Sequence, residues 1–137
     1  MNYEWLYQFM QKIPYLGHNG IVVDCIETDH AVLHVDMRPE LANPYGMAHG
    51  GLLFTLIDTA AGAAARTDGR EYVTLNANAN YLRNTTAGRI TADAHLVRRG
   101  KTATVVDVAV TDEKGTLLTT GTVTMFCLNS DEKPALV

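Results

Sequence analysis

The chain has 137 residues, a net charge of −4 at pH 7 and 47% hydrophobic residues. That size suits one compact domain, so we expect a single domain over 1–137, with an N-terminal helical segment at 1–17 and a frayed tail at 130–137. The basic residues are scattered rather than gathered into a stripe, which disfavours nucleic acid as a partner. The longest uncharged stretch, 41–57, is too short and too polar to span a bilayer.

The N-terminal segment predicts a short amphipathic helix over Tyr3–Ile13, since apolar residues recur there at helical spacing and Pro14 and Gly17 then stop the pattern. It lacks the basic start and the small-residue cleavage site of a signal peptide. The two cysteines, Cys25 and Cys127, lie in separate strand-like segments without a CxxC motif, which favours buried free thiols. We therefore expect a cytoplasmic protein.

The rest of the chain predicts two strands, one helix and four strands. The strand-like segments are 21–26, 31–38, 72–82, 89–98, 102–111 and 117–128. The segment 50–66 is rich in alanine and leucine, free of proline and apolar on nearly every side, which predicts a buried helix. This order predicts an α+β fold in which the last four strands form an antiparallel meander. Such a helix is buried most simply if the sheet curls around it and a second subunit covers the rest.

The stretch NPYGMAHGG, residues 43–51, runs directly into this helix. Gly50 and Gly51 stand where the helix begins, so their N–H groups lack partners within the helix and lie at the positive end of its dipole. Such a position stabilises an oxyanion, and the missing side chains let a carbonyl group approach closely. His49 immediately before them can fix the loop or polarise that carbonyl.

Asp58 is the one acid in the predicted helix. It lies eight residues after Gly50, or about 12 Å along the helix axis, too far to act on a carbonyl held by the Gly50 N–H of the same chain. If both groups serve one site, they come from two subunits of an antiparallel dimer. A carboxylate in apolar surroundings suits a general base or a nucleophile. Taken alone, a hydrogen-bonding anchor is the commoner interpretation of such an acid.

The histidines do not indicate a metal site. His30 and His34 lie on a predicted strand, where four residues span about 13 Å, so a shared ion is not expected. His18 and His95 have no partner at ligand spacing. The stretch GMAHGG also lacks the Lys-Ser/Thr of a nucleotide-binding loop.

With these residues in view, the sequence resembles the hot-dog-fold acyl-CoA thioesterases of the phenylacetate-pathway-like (PaaI-type) branch. That branch has the pattern N-P-x-G-x-x-H-G-G followed by an Asp seven residues after the second glycine, as from Asn43 to Asp58 here. The segments VTLNANANYLR, VRRGKTATVVDVAV and GTLLTTGTVTM extend the resemblance over nearly the whole chain. Asn84 departs from it, because the family often has proline after YLR. The resemblance implies a curved antiparallel sheet wrapped around one long central helix.

The resemblance also implies hydrolysis of an acyl-CoA thioester, aromatic or medium-chain, without metal or cofactor. Asp58 is then the catalytic carboxylate and the Gly50 N–H the oxyanion donor, while His49 and Asn43 shape and polarise the thioester end. Thr74 matches a position where relatives often place a hydroxyl near the attacking water. The alternative interpretation is that Thr74 is an ordinary strand residue, since the even-numbered residues 74–80 share one strand face.

Coenzyme A is expected along the surface, with its phosphates near basic residues. Candidates are Arg98, Arg99 and Lys101 at a strand turn, and Arg83 and Arg89 elsewhere. The family further implies a homodimer with two shared sites, and commonly a homotetramer of paired dimers.

Two alternatives stay open. A hydratase or dehydratase acting on acyl thioesters usually needs a His and a carboxylate in a different motif context. A non-catalytic acyl-CoA-binding or aromatic-ligand-binding module is disfavoured by the joint presence of Asp58, His49 and Asn43. Residue types do not fix the acyl group. The acyl-pocket candidates are Tyr15, Tyr45, Met47, Phe54 and Tyr81.

Overall fold

The computed structural model describes residues 2–130. The expected tail at 130–137 lies outside them, apart from Ser130. The helices are α1 (Glu4–Gln11), α2 (Pro14–Asn19) and α3 (Gly50–Ala65), with single 3-10 turns at Pro39–Leu41 and Arg66–Asp68. The strands are β1 (Val22–Glu27), β2 (His30–Asp36), β3 (Tyr72–Tyr81), β4 (Arg89–Arg99), β5 (Ala103–Thr111) and β6 (Leu117–Cys127).

The N-terminal segment forms two helices instead of the predicted one. Helix α1 ends at Gln11, and Pro14 occupies the first position of α2. The first helix ends before Pro14, as predicted, but Pro14 then begins a second helix, because proline at a first helical position loses no hydrogen bond. Gly17 lies inside α2, so the prediction that it stops a helix is wrong. Gly20, in the left-handed conformation with φ 72°, then ends α2. This second helix brings the Tyr15 hydroxyl to 3.2 Å from the Thr55 hydroxyl on α3.

The six strands form one antiparallel sheet in the order β1-β2-β4-β5-β6-β3. Only β4, β5 and β6 form a meander, so the predicted four-strand meander is wrong. Strand β3 pairs with β6 at the far edge, and the chain then returns past the start of α3 to reach β4. On the way, the Ala48 N–H donates to the Thr85 carbonyl at 2.9 Å. The return segment therefore helps to position the helix start.

Helix α3 lies across the sheet and contacts every strand. The sheet approaches it closely at Gly121, where a Cβ would lie 2.9 Å from Cγ2 of Ile57. Ala77 and Ala79 of β3 pack against the same core, which agrees with their predicted role as small residues facing the helix. One stripe of the helix is left uncovered by the sheet. It contains the exposed Gly51 and Phe54 and the half-buried Thr55, Asp58 and Thr59.

A buried ionic network fastens the C-terminal end of α3. The Asp68 carboxylate accepts hydrogen bonds from Arg70, Tyr72 and Arg99, each at 2.7 Å. Arg70 also donates to the carbonyls of 100–101, which ties the β4–β5 turn to this end of the helix. Burial by itself raises the pKa of Asp68, but the Tyr72 and Arg70 hydrogen bonds and the Arg99 charge hold that pKa below its usual value.

Replacement of Asp68 by Asn is expected to lower the free energy of unfolding by about 3–5 kcal/mol at pH 7, because two arginines lose their buried counter-charge. Since folding lowers the pKa of Asp68, its contribution is complete above the usual value of 3.8 and is lost as the pH falls through the folded-state value. Denaturant unfolding at fixed protein concentration, at pH 7 and pH 3, measures both effects.

The matched control is Asp36→Asn, which removes a carboxylate that pairs with Arg89 at the surface. Little change in stability is expected there. A loss at Asp68 no larger than at Asp36, or a loss that does not shrink at low pH, would contradict the assigned role of the network.

Candidate active site

The imidazole of His49 caps α3. Its Nδ1 accepts a hydrogen bond from the Gly51 N–H at 2.8 Å. A Cβ at Gly51 would lie 3.0 Å from that nitrogen, so a side chain there would push the imidazole away. With Nδ1 as acceptor, the neutral ring carries its proton on Nε2. The exposed His49 ring therefore offers a hydrogen-bond donor at the helix start.

Within residues 2–130, the Gly50 N–H is the one donor of the first helical turn that has no acceptor. The N–H groups of 52–53 both donate to the His49 carbonyl, and that of Gly51 is taken by the imidazole. The Tyr81 hydroxyl donates to the Gly50 carbonyl at 2.9 Å and so holds the N-terminal end of α3 in place. A free donor at the positive end of a helix dipole has the chemistry of an oxyanion site.

The side chain of Asn43 shapes the loop before the helix. Its Oδ1 accepts from the N–H groups of Tyr45 and Met47, at 2.9 and 3.1 Å. A polarising role toward a thioester stays a prediction for Asn43. Asn84, the departure from the family pattern, donates through its amide to the Ala48 carbonyl at 2.9 Å and supports the same loop.

Asp58 lies two turns further along α3, where Thr74 meets it from β3. The Thr74 hydroxyl donates to Oδ1 of Asp58 at 2.5 Å and lies 3.7 Å from the Met125 sulfur. Among residues 2–130, no hydrogen bond occupies the second carboxylate oxygen, Oδ2. The structure thus brings together the predicted catalytic carboxylate and the hydroxyl predicted to lie near the attacking water.

A β-bulge in β3 creates this contact. The register shifts between Thr74, which lies opposite Met125, and Asn76, which lies opposite Thr124. Leu75 is the extra residue, so Thr74 faces the helix whereas Asn76 faces the outer side of the sheet. The prediction that the even-numbered residues 74–80 share one face is therefore wrong for Thr74.

A cavity of about 290 Å³ opens beside Asp58 and Thr74. Its wall from the N-terminal segment consists of Met10 of α1, Ile13 between the two helices, and Tyr15 and Leu16 of α2. Arg66, at the end of α3, also lines it, and sequence reasoning missed this residue. The available signal was its spacing of eight residues from Asp58, which puts both on one side of a helix.

A second cavity, of about 300 Å³, lies beside the helix cap and includes His49 and Gly51. Tyr15 lines both cavities. Among the other acyl-pocket candidates, Tyr81 packs its ring against Gly50. Three more are exposed on the protomer and line neither cavity. They are Tyr45, Met47 and Phe54.

Two of the five candidate coenzyme A contacts are engaged with acids of the fold. Arg99 donates to Asp68 at 2.7 Å and to Asp29 at 2.8 Å. Its donors are used within the fold, so the expectation that it binds coenzyme A is not carried forward. Arg89 pairs with Asp36 at 3.0 Å, on the surface.

The other three candidates are exposed. Arg98 and Lys101 flank the β4–β5 turn near the C-terminal end of α3. Arg83 follows β3 and lies in the segment that supports the N-terminal end of α3.

On the outer face of the sheet, His30 and His95 lie opposite each other on neighbouring strands. Their rings stack with centroids 4.3 Å apart, and both Nε2 atoms approach Oδ1 of Asp93, at 2.7 and 3.0 Å. Parallel rings cannot both direct a lone pair to one ion without leaving the stack, so we assign no metal chemistry to this cluster. His34 pairs with Asp24 instead, at 2.7 Å.

Both cysteines are free thiols; Cys127 is buried and Cys25 partly buried. Burial and neighbouring acids raise the pKa of the Cys25 thiol, which does not favour a nucleophile. No helix in the described range 2–130 is long and apolar enough to cross a membrane.

Known proteins resemble this chain in both sequence and structure. A family model described as the thioesterase superfamily matches residues 45–119. The 1,4-dihydroxy-2-naphthoyl-CoA hydrolase of Listeria monocytogenes is 35% identical over 102 residues, which cover 72% of this chain and 83% of that protein.

Two solved structures show the same architecture. A variant of the phenylacetic acid degradation protein PaaI from Thermus thermophilus has 32% identity and a TM-score of 0.80, covering 84% of this chain and 99% of that one. A hypothetical thioesterase from Streptococcus pneumoniae, solved with coenzyme A, has 32% identity and a TM-score of 0.75, covering 79% and 88%. These matches confirm the predicted hot-dog fold, with its curved sheet around α3. The chain belongs to the thioesterase superfamily, as a hot-dog thioesterase of the PaaI type.

Proposed function

We propose that this protein hydrolyses acyl-CoA thioesters, with an aromatic or medium-chain acyl group, to the free acid and coenzyme A. The observation that carries the proposal is one helix with two complementary groups. Its start offers the free Gly50 N–H, and its middle offers the Asp58 carboxylate oriented by Thr74. The Listeria relative is named for hydrolysis of an aromatic acyl-CoA, and the Streptococcus neighbour was solved with coenzyme A, which supports this substrate class.

In the proposed reaction Asp58 is the general base. Thr74 holds Oδ1, so Oδ2 takes a proton from a water molecule, whose oxygen adds to the thioester carbonyl carbon. The Gly50 N–H, with His49 Nε2–H beside it, stabilises the negative charge that develops on the carbonyl oxygen. The carbon–sulfur bond then breaks, and the proton held by Asp58 passes to the departing thiolate.

The two halves of this machinery are proposed to come from different subunits. Gly50 and Asp58 are about 12 Å apart along one helix, so a single protomer does not bring both to one carbonyl. Strand β3 is an edge of the sheet, and Val73 and Leu75 on it are exposed, as is Phe54 on the uncovered stripe of α3. Such an edge is suited to pair with a second copy. We infer an antiparallel β3–β3 homodimer, and a homotetramer formed by two such dimers.

The exposed cations fit this arrangement. In an antiparallel pair of helices, the start of one α3 lies near the end of the other. Arg83 of one copy and both Arg98 and Lys101 of the other then face the same site, where they are proposed to contact the phosphates of coenzyme A. The free thiols Cys25 and Cys127 are typical of a reducing compartment, which supports a cytoplasmic location.

The variant Asp58→Asn is expected to lower kcat by about 10²–10⁴-fold with little change in KM, because it removes the base but leaves an oxygen for Thr74. Steady-state hydrolysis of phenylacetyl-CoA, 4-hydroxybenzoyl-CoA and octanoyl-CoA measures this. The exposed Asp36→Asn is the matched control.

Near wild-type turnover by an Asp58→Asn enzyme of unchanged oligomeric state would overturn the mechanism. Hydration of crotonyl-CoA by the wild-type protein would favour a hydratase. Tight binding of these thioesters without turnover would favour a binding module.

The shared site is tested with a second variant, Gly50→Pro. Proline removes the proposed oxyanion donor and is tolerated at a first helical position, and His49 before it already has the extended backbone that proline requires (ψ 138°). We expect kcat to fall by about 10²–10³-fold. Gly50→Ala is the control, since it retains the N–H and its Cβ meets only ordinary contacts with Tyr81, at 3.6 Å or more.

Co-expression of Asp58→Asn and Gly50→Pro subunits with different tags, followed by tandem purification, yields oligomers that include the mixed dimer. One of the two sites of each mixed dimer combines intact Asp58 and intact Gly50, so we expect activity far above that of either parent and up to about half of the wild-type value. If each site were built within one chain, the mixed dimer would be as inactive as its parents, and the proposed arrangement would fail.

A further inference from the structure

The guanidinium of Arg66 enters the cavity beside Asp58 by folding back along α3. Its Nη1 lies 2.7 Å from the position that a Cβ of Gly62 would occupy, so the glycine provides the room for it. Asp58, Gly62 and Arg66 follow one another at four-residue intervals on one stripe of the helix. The cation therefore lies about one helical turn, roughly 5–6 Å, beyond the carboxylate.

Within residues 2–130, few groups accept a hydrogen bond from the Arg66 guanidinium. Nη2 donates to the Tyr72 carbonyl at 2.8 Å, and the guanidinium carbon lies 5.4 Å from the centre of the Phe9 ring. In the described range no carboxylate forms an ion pair with it, and no second hydrogen bond uses its donors, although an arginine has five N–H groups. Burial lowers the pKa of Arg66, and the Asp58 charge partly offsets this.

The apolar surroundings of Arg66 make it energetically unfavourable to leave its N–H donors without acceptors. Met10, Ile13 and Met125 line the same cavity, so the cation faces an apolar wall. A partly buried charge destabilises the folded state unless a partner completes its hydrogen bonds. The planar fork of arginine is matched best by an oxygen acceptor, above all a carboxylate. An acyl group that reaches into this cavity from a thioester held at Asp58 places its far end at this fork.

We propose that Arg66 determines the acyl specificity, by binding an oxygen atom, of a carboxylate or of a phenolic hydroxyl, at the far end of the acyl group. This inference rests on the proposed thioesterase function. The spacing of one helical turn suits an oxygen separated from the thioester carbonyl by about the width of an aromatic ring. Purely hydrocarbon acyl groups leave the guanidinium unpaired and are poorer substrates.

The test uses two matched pairs of thioesters. One pair is 4-hydroxyphenylacetyl-CoA and phenylacetyl-CoA; the other is glutaryl-CoA and pentanoyl-CoA. In the wild type, kcat/KM is expected to be about 10- to 100-fold higher for the oxygen-bearing member of a pair. The pair that shows this preference identifies the acceptor as phenol or carboxylate. In Arg66→Met the preference is expected to fall to near unity, because hydrolysis of the oxygen-bearing member falls toward that of the hydrocarbon member.

Further variants separate recognition from folding. Arg66→Gln can still donate to the Tyr72 carbonyl but lacks the charged fork, so it is expected to fold normally and lose the preference. Lys114→Met removes an exposed cation from the β5–β6 turn and is expected to leave both ratios unchanged.

Ratios within twofold of wild type in both Arg66 variants, or no preference in the wild type, would overturn the inference. Failure of the proposed function gives a different result. Asp58→Asn is expected to slow all four thioesters equally without altering the ratios, and its having no effect would overturn the mechanism itself.

Discussion

The site depends on how the first turn of α3 distributes its hydrogen bonds. A helix must start with N–H groups that its own backbone cannot satisfy. Here the carbonyl and the imidazole of His49 satisfy all of them but one, and the remaining donor belongs to Gly50. Because Gly51 has no side chain, the imidazole can reach the backbone. The cap thus stabilises the helix. It also leaves the Gly50 N–H free to donate a hydrogen bond to a negatively charged oxygen.

The two ends of α3 are held by different means. At the start, neutral hydrogen bonds join the helix to the end of β3 and the segment after it. Tyr81 donates to the Gly50 carbonyl, Asn84 donates to the Ala48 carbonyl, and the Ala48 N–H donates to the Thr85 carbonyl. At the end, the Asp68 carboxylate gathers arginines in a buried ionic network. Between these fixed ends Asp58 needs only one neighbour, Thr74, to set its orientation. The rigid framework leaves the uncovered stripe of the helix free for substrate and for a second subunit.

The sequence was informative wherever local pattern decides structure. Periodicity predicted α3 and all six strands, and the motif from Asn43 to Asp58 predicted where the helix starts and which carboxylate it carries. Contacts between distant segments left no such pattern. The pairing of β3 with β6, the meeting of His30 with His95 and the reach of Arg66 over Gly62 all depend on the folded sheet. The bulge at Leu75 adds one residue to a regular strand, and alternation alone does not indicate where such an insertion falls.

The two walls of the cavity beside Asp58 and Thr74 come from separate stretches of chain. The segment that contains α1 and α2 supplies Met10, Ile13, Tyr15 and Leu16, whereas α3 and β3 supply Asp58 and Thr74. Substitutions in the early segment can therefore reshape the space around a bound acyl group without moving the base or its hydroxyl partner. A fold divided in this way lets substrate range diverge between related enzymes while bond cleavage is conserved.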